Sequence, residues 1–121
     1  MRKLGSGAEG LYSSALSVAE LSCVFHRHVR EGPLTERQAA ELRGVFLKDL
    51  RDGVWVLLPV SENLLYRVEA RVGSFPRSVP LRAGDAIHLV TAQEAGFPEI
   101  WTNDRHMLAA ARYFGLTGRS V

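Results

Sequence analysis

The sequence predicts an α/β domain, a mostly parallel sheet flanked by helices. Three observations lead there. Apolar stretches of strand length alternate with stretches whose apolar residues recur at helical spacing. One stretch, VWVLLPV from Val54 to Val60, is continuously apolar and rich in valine, as in a strand covered on both faces. The chain has 121 residues, 46% of them hydrophobic, which suits one domain with a real core.

The elements follow in order. MRKLGSGAEG, residues 1–10, is small, polar and Gly-rich, and is read as a flexible start or a loop. It contains a formal GxGxxG at Gly5, Gly7 and Gly10, but too little chain precedes it for the strand that a dinucleotide site requires. LYSSALS, Leu11 to Ser17, is a short strand leading into a helix. The helix shows an apolar stripe of Val18, Leu21, Val24, Phe25 and Val29, and Gly32 and Pro33 stop it. Thr35 and Gln38 form a capping-box pattern for a second helix with the face Leu42, Val45, Phe46 and Leu50, ended by Asp52 and Gly53. After the valine-rich strand, Ser61 caps a third helix with the face Leu64, Leu65 and Val68. Gly73 to Pro80 is a loop. Leu81 to Gly96 is the most apolar helix, with Gly96 as its cap and Pro98 beyond. Ile100 and Trp101 form a short strand, a helix runs from about Asp104 to Phe114, and Leu116 to Val121 is a last strand.

Composition narrows the function. The net charge is only +2, so no broad polycationic surface exists, although the basic residues are mostly arginine, which suits phosphate recognition. Cys23 is the only cysteine, which excludes an internal disulfide and a CxxC metal site; its apolar neighbours suggest a buried thiol. No apolar run is long enough to span a bilayer and no signal-peptide pattern appears, so a cytoplasmic protein with no membrane partner is expected. HxxxH and HExxH spacings are absent, which argues against a zinc site, and no GxSxG elbow, P-loop or Cys/His nucleophile arrangement is present. His26, His28, His88 and His106 are read as surface or supporting residues, His88 within reach of Asp85.

Of the four aspartates, Asp49 and Asp52 close an ordinary helix, whereas Asp85 and Asp104 demand more. Asp85 lies on the apolar helix, where Leu89 is about 40° away around the axis. An ionised carboxylate there needs a partner, a metal or the helix dipole. Asp104 follows a strand and has the position of an N-cap. Glu20 flanks the stripe of the first helix. Each has an ordinary structural explanation alone. Together they sit near helix starts and strand ends that converge in a doubly wound fold, where ligands bind. Three carboxylates in one cleft repel one another, and a hard divalent cation resolves that conflict. The chemistry implied is metal-assisted phosphodiester hydrolysis, with Thr102 and Asn103 orienting a water or a carboxylate.

These residues carry a resemblance. SSALSVAEL (Ser13 to Leu21), LRAGDAIHLVTA (Leu81 to Ala92) and IWTNDRHMLAAARYFGL (Ile100 to Leu116) resemble, in order and spacing, the PIN-domain ribonucleases, especially the VapC-type toxins of toxin–antitoxin pairs. The likeness runs from about Leu11 to the end, so residues 11–121 are expected to form the PIN-like domain. It implies a parallel sheet with helices on both sides, and a Mg²⁺- or Mn²⁺-dependent endoribonuclease. It implies an RNA substrate, a cognate antitoxin and a homodimer. Glu20, Asp85 and Asp104 match the family's metal-binding acids, Thr102 its hydroxyl residue, and Arg82 a basic residue placed for RNA phosphate or solvent.

One departure stands out. The family opens with a central strand ending in aspartate, LDxSALV-like, followed by a helix, and this sequence has no such segment; Glu9 is a poor substitute. Either the start is misplaced or truncated, or another chain or segment fills the gap. The alternative function is therefore a catalytically impaired module that acts by binding protein. A phosphotransfer domain built on Asp85 or Asp104 lacks a lysine near a matching strand end.

Overall fold

The computed structural model of the chain describes residues 2–7 and 10–121; Glu9 lies outside the described residues. Strands β1 (Gly5–Gly7) and β2 (Gly10–Ser14) are followed by helices α1 (Leu16–Glu31) and α2 (Glu36–Arg51). Then come β3 (Trp55–Leu58), α3 (Glu62–Gly73), α4 (Ala83–Glu94), β4 (Glu99–Trp101), α5 (Arg105–Ala111), a 3₁₀ turn (Arg112–Phe114) and β5 (Thr117–Arg119). The α/β class and the order of helices and strands from Leu11 onward agree with the sequence reading.

The pairing is parallel where the sequence demands it. β2 pairs with β3 from Leu11–Trp55 to Ser14–Leu58, and β4 with β5 from Glu99–Thr117 to Trp101–Arg119. The space between β2 and β4 is filled by the chain's first residues. β1 runs antiparallel to β2, the Leu4 N–H donates to Tyr12 O at 2.7 Å, and Lys3 bridges Trp101 in antiparallel register. The Lys3 ammonium also sits 4.5 Å from the centre of the Trp101 ring. All four other strands therefore point one way, and the segment from Lys3 to Gly7 points the other.

This differs from the reading of residues 1–10 as a flexible start or loop, and the physical reason lies in the glycines. A Cβ on Gly5 would sit 2.6 Å from the Phe97 ring, which needs the bare backbone to lie there, tilted against Tyr12. Gly10 has φ +134°, and a Cβ there would meet Gly53 O at 2.6 Å. A Gly-rich stretch that looks like a loop is here a strand under close cover. Leu4, the one large apolar residue among these glycines, is completely buried.

The core is centred on α4, which buries Ala86, Leu89, Val90 and Ala92 against Leu4, Leu64, Ile100, Met107 and Phe114. Its apolar circumference is that of a helix covered on most sides. The capping box at Thr35 and Gln38 is present, as is the Ser61 cap. Four packing expectations fail. β3 is an edge strand, so its residues are half-buried rather than covered on both faces. α2 buries no residue, with Leu42 and Val45 exposed, because α1 and β3 give it only one-sided support. Leu65 is exposed, and so is Cys23, which faces away from the core.

Candidate active site

Four strands deliver their C-terminal ends to one edge of the sheet, and three helices start or pass there. α1 begins two residues after β2 and carries Glu20 in its second turn. α4 carries Asp85 in its first turn, and Asp104 is the N-cap of α5 just beyond β4. The structure brings together all three carboxylates singled out from the sequence. They line or adjoin a groove of about 620 Å³ whose walls include Arg2, Ser17, Glu20, Arg27, Thr102 and Asp104.

What joins them is Arg2. Its Nη2 lies 3.0 Å from Asp85 Oδ1 and 3.8 Å from Asp104 Oδ2, and its Nη1 lies 3.5 Å from Glu20 Oε2. The antiparallel course of the first segment puts its beginning, not its end, at the carboxyl ends of the other strands. The Ser13 hydroxyl fixes that beginning. Buried completely, it donates to the Arg2 carbonyl at 2.5 Å and shares a hydrogen bond of 2.7 Å with Ser17.

Arg82 is the second cation. Its Nε donates to Asp85 Oδ2 at 3.1 Å and its Nη2 to Asp104 Oδ2 at 2.5 Å. It thus pairs with carboxylates while most of its side chain faces solvent, one of the two surroundings the sequence reading gave it. Bonding and attraction from Asp85, then from Asp104, raise its pKa above the usual arginine value. The result is an alternating row: Glu20, Arg2, Asp85, Arg82, Asp104.

Each carboxylate is also held by its own surroundings. Glu20 Oε1 accepts from His88 Nε2 at 2.5 Å. His88 is completely buried on α4 and contacts Glu20, whereas the sequence suggested Asp85. Burial lowers the His88 pKa, against the opposing pull of Glu20, so the ring is neutral near pH 7. Neutrality fits its other nitrogen, Nδ1, which is buried without a hydrogen-bond partner and carries no proton in the Nε2–H tautomer. Glycine makes room for Glu20, since a Cβ on Gly84 would lie 3.0 Å from Oε2.

Asp85 is almost fully buried and is satisfied by the two arginines. Asp104 behaves as the N-cap its position suggested: Oδ1 accepts from the His106 and Met107 backbone N–H groups at 2.9 and 3.1 Å. Partial burial would raise its pKa, but those N–H groups and Arg82 outweigh it and hold the carboxyl below the usual range. Thr102 is buried and its Oγ1 accepts from the Asp104 N–H at 3.1 Å, so it shapes the turn that presents Asp104. Asn103 Oδ1 accepts from the Val121 N–H at 3.0 Å, which ties down the last residue.

Three carboxylates are suitable donors for a hard divalent ion. Their arrangement is not yet a metal site. Among the described residues, no three His, Cys, Asp or Glu side chains are grouped to hold an ion. Guanidinium groups stand between the oxygens and satisfy them. Sequence reasoning missed Arg2, Gly84 and the role of His88.

The sequence matches the PIN domain family over residues 1–113. No curated protein and no solved structure gives a significant match. No helix among the described residues is long and apolar enough to cross a membrane.

Proposed function

This chain belongs to the PIN-domain family, whose members are generally nucleases, and on that premise we propose that it is an endoribonuclease, the toxin of a toxin–antitoxin pair acting in the cytoplasm. The observation that carries the reading is the meeting of Glu20, Asp85 and Asp104 around one guanidinium, beside a groove that Glu20 and Asp104 line. The reaction assigned to the groove is hydrolysis of an RNA phosphodiester. Arg27, exposed on the groove wall, supplies a cation for backbone phosphate. His88 fixes the rotamer of Glu20, the α5 N-terminus fixes Asp104, and Thr102 fixes the turn between β4 and α5. PIN domains typically use divalent metal ions, and Mg²⁺ or Mn²⁺ matches the carboxylate chemistry. As arranged, these carboxylates serve the guanidinium groups and not an ion.

The test is RNA cleavage by the 121-residue chain with and without millimolar Mg²⁺, beside Asp85→Asn. Metal-dependent cutting that disappears in the variant is expected. Cutting that persists in Asp85→Asn refutes the site.

A second reading is favoured by the same arginines and by the exposed Leu42, Val45 and Leu47 of α2. In it, the chain is an impaired PIN module that binds an antitoxin or a second copy of itself. A folded chain that cuts no RNA yet elutes as a dimer on size exclusion would favour it.

A further inference from the structure

We infer that Arg2 is a built-in cation that occupies the acidic cluster in place of a divalent ion, so that metal enters only when Arg2 leaves. The inference rests on the reading of the cluster as the nuclease site and adds the device that controls access to it.

Four observations support it. The Arg2 guanidinium meets all three acids at once, within 3.0 to 3.8 Å. No other cationic side chain among the described residues does so; Arg82 pairs with Asp85 and Asp104 only. The placement is built from the backbone outward, through the Ser13–Arg2 bond, the Lys3–Trp101 bridge and the burial of Leu4. The fit is nevertheless incomplete. Arg2 Nη1 is buried and makes no hydrogen bond, with Glu20 Oε2 at 3.5 Å. A guanidinium ion-paired through Nη2 and unsatisfied at Nη1 is a weaker occupant than a fully bonded one.

A cation and a guanidinium cannot share these oxygens. Both need the inward lone pairs of Asp85 and Glu20, and their like charges repel at contact distance. With Arg2 gone, three carboxylates face one guanidinium instead of two, and Asp85 Oδ1 loses its partner at 3.0 Å. What remains is the hard-oxygen donor set, with Arg82 still bridging Asp85 and Asp104 through their Oδ2 atoms and Asp85 Oδ1 and Glu20 Oε2 released.

The experiment measures Mn²⁺ binding by isothermal titration calorimetry to the wild type, Arg2→Gln and Arg2→Lys. Gln keeps a polar side chain without charge, and Lys keeps charge without the planar fork. Arg2→Gln is expected to bind Mn²⁺ at least about tenfold more tightly than the wild type, the equivalent of one lost charge-assisted contact. Arg2→Lys is expected to stay close to the wild type. A second measurement needs no variant: saturating Mg²⁺ should move the side-chain Nε–H resonance of wild-type Arg2 to the position of a solvated arginine. Equal Mn²⁺ affinity in wild type and Arg2→Gln overturns the inference, and so does an Arg2 resonance unmoved by bound Mg²⁺. Tight Mn²⁺ binding by Arg2→Gln without RNA cleavage upholds the inference and removes the ribonuclease reading. Equal affinities with metal-dependent cleavage do the reverse.

Discussion

Asp85→Asn changes one oxygen to nitrogen, and the sign of its effect on stability depends on what surrounds the cluster. In a bare cluster of acids, removing a charge relieves repulsion and stabilises the fold. Here the surroundings are cationic, and the variant should destabilise. Asp85 is 3% exposed and its partner Arg2 20%, so that pair is largely shielded from water. Losing a shielded charge-assisted bond costs about 1.5–3 kcal/mol. The pair with Arg82 is different. Arg82 is 63% exposed, so solvent screens it and its loss adds at most about 1 kcal/mol. Asn keeps one carbonyl oxygen and so retains one neutral bond. The net expectation is a loss of about 2 kcal/mol. At about 4 °C per kcal/mol for a chain of this size, the melting point should fall by about 8 °C. Thermal denaturation followed by circular dichroism, without added metal, reads it directly. A melting point that rises would mean that the carboxylates are uncompensated in solution, and the row of alternating charges would be wrong.

Two further perturbations probe the same site. Because burial holds the His88 pKa below its value of about 6.5 in an unfolded chain, the unfolded state binds the extra proton first as the medium is acidified. Stability should therefore fall as pH drops below about 6.5, and His88→Gln, which keeps a donor for Glu20, should flatten that fall; equal slopes in the two proteins would refute it. Asp104, with its lowered pKa, acts separately, only below about pH 4. Gly84→Ala places a methyl 3.0 Å from Glu20 Oε2. It should leave thermal stability unchanged or raised by up to about 1 kcal/mol through helix propensity, while RNA cleavage falls, and full cleavage would show that Glu20 has room to spare.

Much of the fold was legible because its signals are local. Helical periodicity, the Thr35 capping box and the Ser61 cap depend on neighbours in sequence, and they reappear in place. The failures came where tertiary context decides. An apolar stripe such as that of α2 states what a helix would bury, not whether a second layer exists to cover it. The glycines between Gly5 and Gly10 look the same in a loop as in a strand pressed against Phe97 and Gly53. In the site, the three acids could be read because each broke a local expectation or sat at a strand end. Arg2 could not be read, since a single arginine in a polar stretch breaks none. Its position follows from the antiparallel direction of the first strand, which composition does not record.

The antiparallel entry of the first segment has a consequence for how the site fills. Arg2 belongs to the same molecule as the acids it neutralises, so its effective concentration at the groove is fixed by its tether, on the order of millimolar or higher for a short link. Diluting the protein does not dilute this competitor. Occupancy of the groove by a divalent ion would then depend on the free ion concentration alone, with a threshold set by the few backbone bonds that hold Lys3 and Leu4 in the sheet. Loosening those bonds, at a distance from every carboxylate, would lower the threshold without altering a single ligand.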